Sequence, residues 1–153
     1  MKLWRYLVVL MLGSWLCNAA HAQALACNIS TAPPMVFGNY NPLSFVDDDA
    51  QTSMSVRCNG VGLRIMRISL TPGLTGSVGS RAMQRNGVNL FYGLYTNSGR
   101  TTAWGDGTAG TSIVLRLVFG GSDFTMPIYG RIPQRQNVPV GLYTDSVTIR
   151  LDF

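Results

Sequence analysis

Past residue 22 the chain contains no histidine, glutamate or lysine; its charged side chains are all arginine and aspartate. That inventory removes the usual general bases and the hydrolytic triads. The chain is therefore read as non-enzymatic, with no catalytic, cofactor-binding or metal-binding residue assigned. The densest carboxylate run, Asp47-Asp48-Asp49, lacks the glycine and terminal glutamate of a calcium loop and reads as a solvated turn. Asp106 lies in a glycine-flanked turn and Asp145 opens a strand, positions where aspartate serves turn formation rather than paired-carboxylate chemistry. Trp104, in the glycine-rich stretch from Thr96 to Gly110, has two readings: a carbohydrate-stacking platform in a ligand loop, or an anchor pinning that loop to a core.

The remaining chemistry belongs to cysteine, and its meaning depends on the compartment. Lys2 and Arg5, the apolar run Leu7 to Leu16, and Ala20-His21-Ala22 make a positive region, a hydrophobic region and a small-x-small cleavage site. Residues 1–22 are expected to be a signal peptide cleaved after Ala22, with the same pattern repeated at Ala24 and Ala26. The run is too short for a membrane span, so none is expected in the mature form, a single domain of residues 23–153. Cleavage removes the only histidine, His21, and Cys17, leaving Cys27 and Cys58. An even pair in an exported chain is most simply a disulfide. Loss of Lys2 and Arg5 also leaves ten arginines against seven aspartates, a net +3 instead of +5. These charges are scattered and form no basic stripe with interleaved aromatics, which disfavours nucleic acid as a partner.

The elements that must position these residues read as strands throughout. Thr52, Met54, Val56 and Cys58 alternate with polar residues and predict a strand whose cysteine points inward. Leu63 to Leu70 is a second strand, with Met66, Ile68 and Leu70 on one face and a bulge expected where Arg64-Ile65-Met66 blurs the register. Arg81 to Gln84 reads as a short edge strand joined by Asn86-Gly87 to a strand with Leu90, Tyr92 and Leu94 on one face. The stretch from Thr96 to Gly110 is expected to be a long surface connection. Ile113, Leu115, Leu117 and Phe119 are expected to form a buried face, with Val114, Arg116 and Val118 outward. Phe124 to Ile132 is a further strand, which Pro127 marks as an edge or bulged one. The arginines at 57, 67, 116 and 150 fit a solvated sheet face. Last comes Ser146 to Phe153, with Val147, Ile149, Leu151 and Phe153 on one face. Short strands at this spacing, with no helical period, predict an all-β, immunoglobulin-like antiparallel β-sandwich, with a closed barrel as the alternative. The closing strand has a full apolar face and no successor to pair with, so the sandwich is expected to be incomplete.

Several local sequences, taken in order, resemble the spore coat protein U domain family. They are Cys27, Phe37-Gly38-Asn39-Tyr40-Asn41-Pro42-Leu43, Val56-Arg57-Cys58, Arg81-Ala82-Met83, Leu90-Phe91-Tyr92-Gly93-Leu94-Tyr95, Trp104-Gly105-Asp106-Gly107, Tyr129-Gly130-Arg131-Ile132-Pro133 and Gly141 to Val147. Members include secreted pilus subunits of the archaic chaperone/usher pathway of Gram-negative bacteria.

The resemblance implies a sandwich lacking its last strand, folded and polymerised by donor-strand complementation. It implies a periplasmic pilus chaperone, an outer-membrane usher and other pilus subunits as partners, with passage through the periplasm to the cell surface. Val147, Ile149, Leu151 and Phe153 would then help form the floor of the donor-strand groove, and the Phe153 carboxylate would meet basic residues of the chaperone. Cleavage after Ala22 leaves only Gln23-Ala24-Leu25-Ala26 ahead of Cys27, too short for a donor segment. A tip or minor subunit of an adhesive, biofilm-forming fimbria is thereby expected. The alternative function is a self-contained secreted β-sandwich that binds a glycan through the Trp104 loop.

Overall fold

The computed structural model describes residues 23–74 and 77–153. The expected signal peptide, with Cys17 and the Ala20-His21-Ala22 site, lies outside the described residues. Among the described residues no helix is long and apolar enough to cross a membrane.

The described residues form eight strands: β1 (Ala26–Thr31), β2 (Asp48–Asn59), β3 (Leu63–Leu70), β4 (Arg81–Arg85), β5 (Val88–Tyr95), β6 (Val114–Phe119), β7 (Asp123–Ile132) and β8 (Ile149–Asp152). They build two antiparallel sheets, one ordered β1-β2-β7-β5-β4 and the other β6-β3-β8. The result is an immunoglobulin-like sandwich. Its core is drawn from the facing sides of both sheets: Met54, Val56 and Cys58 of β2, Leu90, Tyr92 and Leu94 of β5, and Met66, Ile68 and Val118 of the smaller sheet. Alternate residues of a strand point to opposite faces, which is why the period-two pattern of β2, β3 and β5 carried over directly into burial. Asn86 and Gly87 take φ values of 49° and 81°, the left-handed pair of a tight hairpin between β4 and β5.

Cys27 faces Cys58 in the β1–β2 register, and the two form a disulfide with Cα atoms 4.0 Å apart. It staples the first strand to the second. A register shift occurs in β1 between Ile29 and Thr31, whereas β3 pairs with β6 without interruption from Leu63 to Ile68. The bulge expected at Arg64-Ile65-Met66 is therefore absent; Ile65 simply keeps its place in the alternation and points outward.

Three further expectations are corrected. In β6 the period is right but the face is inverted: Val118 is buried, Val114 packs against the core and Arg116, expected outward, shares their row and lies over the Phe124 ring, while Leu115, Leu117 and Phe119 are exposed. A strand with apolar residues in both rows does not say which face is inward, and pairing with β3 decides it. β7 lies inside the larger sheet rather than at its edge, with Pro127 opposite Ser53 of β2. On its other side β5 pairs only with Tyr129 to Arg131, so Pro127 sits where that flank has no ladder for its missing N–H to break. Finally, Asp47-Asp48-Asp49 is not a solvated turn, because β2 already begins at Asp48. Asp49 Oδ1 accepts from Arg131 Nε at 2.7 Å and Asp49 Oδ2 lies 3.1 Å from Arg100. Arg131 holds the Asp49 carboxyl below the usual carboxylate range.

Candidate functional site

Among the described residues the chemistry-bearing side chains stand apart from one another. Trp104 is fully buried, and its indole Nε1 donates to the Ile68 carbonyl at 3.2 Å. The connection expected on the surface instead folds back onto β5, with Trp104 N donating to Leu94 O at 2.8 Å. A ring with both faces in the core has none to offer a sugar, which corrects the assignment of Trp104 to a ligand loop. Beneath it the Arg81 guanidinium, also buried, donates to the carbonyls of Thr71, Val78 and Trp104 at 3.0 to 3.2 Å. Burial away from water holds its pKa below the ordinary arginine value. These carbonyls are what allow a guanidinium there.

What the fold does provide is an open cleft of about 960 Å³. Its floor comes from inward residues of both sheets, including Leu70 of β3, Leu90, Tyr92 and Leu94 of β5, and Ile128 and Ile132 of β7. One wall is the segment from Ala32 to Tyr40 and the other runs from Val138 to Val147. Neither wall contains a strand. β8 pairs with β3 from Arg67 to Leu70, has no other ladder among the described residues, and contributes Ile149 to the lining of the cleft. Backbone groups of a strand paired on one side only are templates for another strand.

Each wall is pinned by specific contacts. Met35 and Phe37 lie across β7 at Gly130, where any Cβ would collide with their side chains. Phe37 also meets the Tyr92 ring edge-on, with centroids 6.0 Å apart. Tyr40 joins the end of the first wall to the approach of the second, its hydroxyl donating to Pro133 O at 2.9 Å and accepting from Gln136 N at 2.7 Å. The second wall crosses from one sheet to the other: Gln84 N of β4 donates to Thr144 O at 2.8 Å, and Thr71 N donates to Thr148 O at 3.0 Å. Asp145 fastens its middle. One carboxylate oxygen accepts from the Tyr92 hydroxyl at 2.5 Å, and the other accepts from Leu74 N and Ser146 N at 2.7 Å each. Burial, reinforced by the bond to Asp145, raises the Tyr92 pKa far above the ordinary phenol value. The tether is thus protonated at every physiological pH.

Of the residues expected at the groove, Val147 and Ile149 line the cleft. Leu151 is half-buried against the core but is not part of the cleft lining, and Phe153 is exposed. Strand alternation put the four on one face; β8 begins only at Ile149, and the cleft ends before the strand does. Tyr92, Asp145 and Tyr40 were not singled out from sequence as parts of this site. Their one signal was the polar tip on an otherwise apolar pattern, a group that must find a partner when buried.

Comparisons with known proteins bear on the family and the fold. The model of the Spore Coat Protein U domain matches residues 15–150. Protein U of Myxococcus xanthus is 34% identical over 146 residues, covering 84% of this chain and 78% of that protein. Among solved structures, a chain of the CsuC–CsuE chaperone–tip adhesion subunit pre-assembly complex, from archaic chaperone-usher Csu pili of Acinetobacter baumannii, is similar with a TM-score of 0.59 and 26% identity. That match covers 84% of this chain and 40% of the solved one, so this chain spans about two fifths of its length.

Proposed function

The chain belongs to the spore coat protein U domain family, and from that membership together with the open cleft we infer that it is a secreted structural subunit of a chaperone–usher-assembled pilus or related surface coat. The observation that carries this reading is the open cleft between the two sheets, whose lining ends at Ile149, the first residue of a strand that is paired on one side only among the described residues. Strand addition suits such a site: backbone hydrogen bonds to β8 supply affinity, and alternate side chains fill the floor between the sheets. A periplasmic chaperone lends the strand first. A neighbouring subunit then replaces it at an outer-membrane usher, and head-to-tail joining of unlike surfaces extends the fibre. The signal peptide at residues 1–22 delivers the chain to that pathway.

Within the fibre this subunit is assigned a tip or minor position. Two observations support that. The similar solved chain belongs to a complex with a tip adhesion subunit. In addition, the residues between the expected cleavage site and Cys27 are engaged by their own domain, with Val61 N donating to Gln23 O at 2.9 Å and Ala24 bridged to Val61. Gly60 permits that approach, since a Cβ there would strike the Gln23 and Ala24 carbonyls. Residues held in this way are not free to enter another subunit's cleft.

The test is expression in the periplasm of a host lacking pilus chaperones, with and without a co-expressed archaic chaperone–usher pilus chaperone. The chain alone should be degraded or aggregate, and co-expression should recover a soluble complex. Recovery of a stable, soluble monomer without any chaperone would overturn the reading.

A further inference from the structure

The inverted face of β6 leaves a second unpartnered surface, on the opposite side of the smaller sheet from the core. Register pairs Leu63 with Phe119, Ile65 with Leu117, and Arg67 with Leu115, and all six side chains point outward. The five apolar ones are 57 to 64% exposed. Together they offer on the order of 500 Å² of contiguous apolar surface, comparable to the largest patch on a typical soluble monomer, a patch that is often functional.

We propose that this outer face of β3 and β6 packs against the same face of a second copy of the chain. Two such faces removed from water would bury about 1,000 Å², the threshold for a specific interface. The charge pattern favours self-association about a two-fold axis. Arg67 is the one charge in the outward rows of β3 and β6 and stands at one end, opposite Asp152 of β8 in register. Arg64, at the Leu63–Phe119 end, belongs to the alternate row, its guanidinium donating to the Leu63 carbonyl at 3.3 Å. An axis crossing the strands at Ile65 and Leu117 brings each Arg67 over the partner's Leu63–Phe119 end, within reach of a cation–π contact to Phe119. Pairing through the free edge of β6 is disfavoured instead, because Arg116 is turned to the inner side, 5.0 Å from the Phe124 ring, and an inward charge on an edge strand blocks extension. This contact is separate from the cleft and does not depend on what fills it.

Two copies of the full chain carrying different affinity tags are exported together in the native host. The periplasmic fraction is then captured through one tag and probed for the other. Wild type should co-capture its twin. Leu117→Arg and Ile65→Asp, both at exposed positions, should weaken co-capture at least ~tenfold while leaving the thermal melt in place. Phe91→Asp, 46% exposed on the outer side of the larger sheet and away from the cleft, should leave it unchanged. The proposal is overturned if wild type does not co-capture, if co-capture survives both face substitutions, or if only Phe91→Asp abolishes it. Binding of this face to anionic lipid vesicles without co-capture would also overturn it.

Discussion

At the scale of single residues, this protein uses its sparse charged side chains as fasteners. Arg81 satisfies three backbone carbonyls beneath Trp104. Arg81→Ala should therefore lower stability by about 2–4 kcal/mol, since truncation leaves buried acceptors without a donor; the shift in thermal or denaturant midpoint checks it. Asp49 gives a pH signature. Its folded pKa is depressed below the 3.8 of a free aspartate, chiefly by the Arg131 hydrogen bond. A depressed carboxylate contributes stability that is present above the unfolded value and lost as pH falls through the folded one. The melting temperature should thus drop as the pH falls below 3.8, and the drop should be shallower in Arg131→Ala. An equal slope in both proteins would show that this pair does not carry the effect.

At the scale of elements, the proposed strand-addition site consists of β8 and the two walls, and their residues divide by position. Ile149 and Val147 line the cleft, so Ile149→Asp should abolish capture by the chaperone, measured as loss of the co-purified complex. Phe153→Asp, at an exposed position beyond the cleft, should leave capture largely intact. Loosening the second wall should act differently. Tyr92→Phe removes one of the three hydrogen bonds that hold Asp145 and should cost about 1 kcal/mol in stability. It should also weaken, without abolishing, strand capture. The element patterns themselves were largely legible in sequence: β2, β3 and β5 announced both their period and their inner face. β6 announced only its period, because Val114 and Val118 on one side and Leu115, Leu117 and Phe119 on the other are all apolar.

At the scale of the whole molecule, two sheets share one core and a disulfide joins the first two strands of the larger sheet. Closing the 31-residue separation between Cys27 and Cys58 restricts the unfolded chain by about 3–4 kcal/mol in the chain-entropy model. The double substitution Cys27→Ser and Cys58→Ser should lower stability by about that amount, read as the denaturation midpoint of the chaperone-bound subunit, and reduce periplasmic yield. Yield unaffected by the loss of the bridge would mean that the core alone suffices during export.

The sequence by itself determined the all-β class, the pairing of the two cysteines and the positions of most strands. Each of these follows from local alternation, turn chemistry or residue count. Only the tertiary structure decided that Trp104 is an anchor, that the Asp47–Asp49 run meets Arg131 and Arg100, and which face of β6 is buried. The cleft is of the same kind. Its floor and walls come from segments as far apart as Met35 and Ile149, and no local pattern states which distant segments will stand opposite one another. An apolar residue's need for burial is written in its own side chain, but the surface that meets that need is chosen by the packing of the rest of the chain.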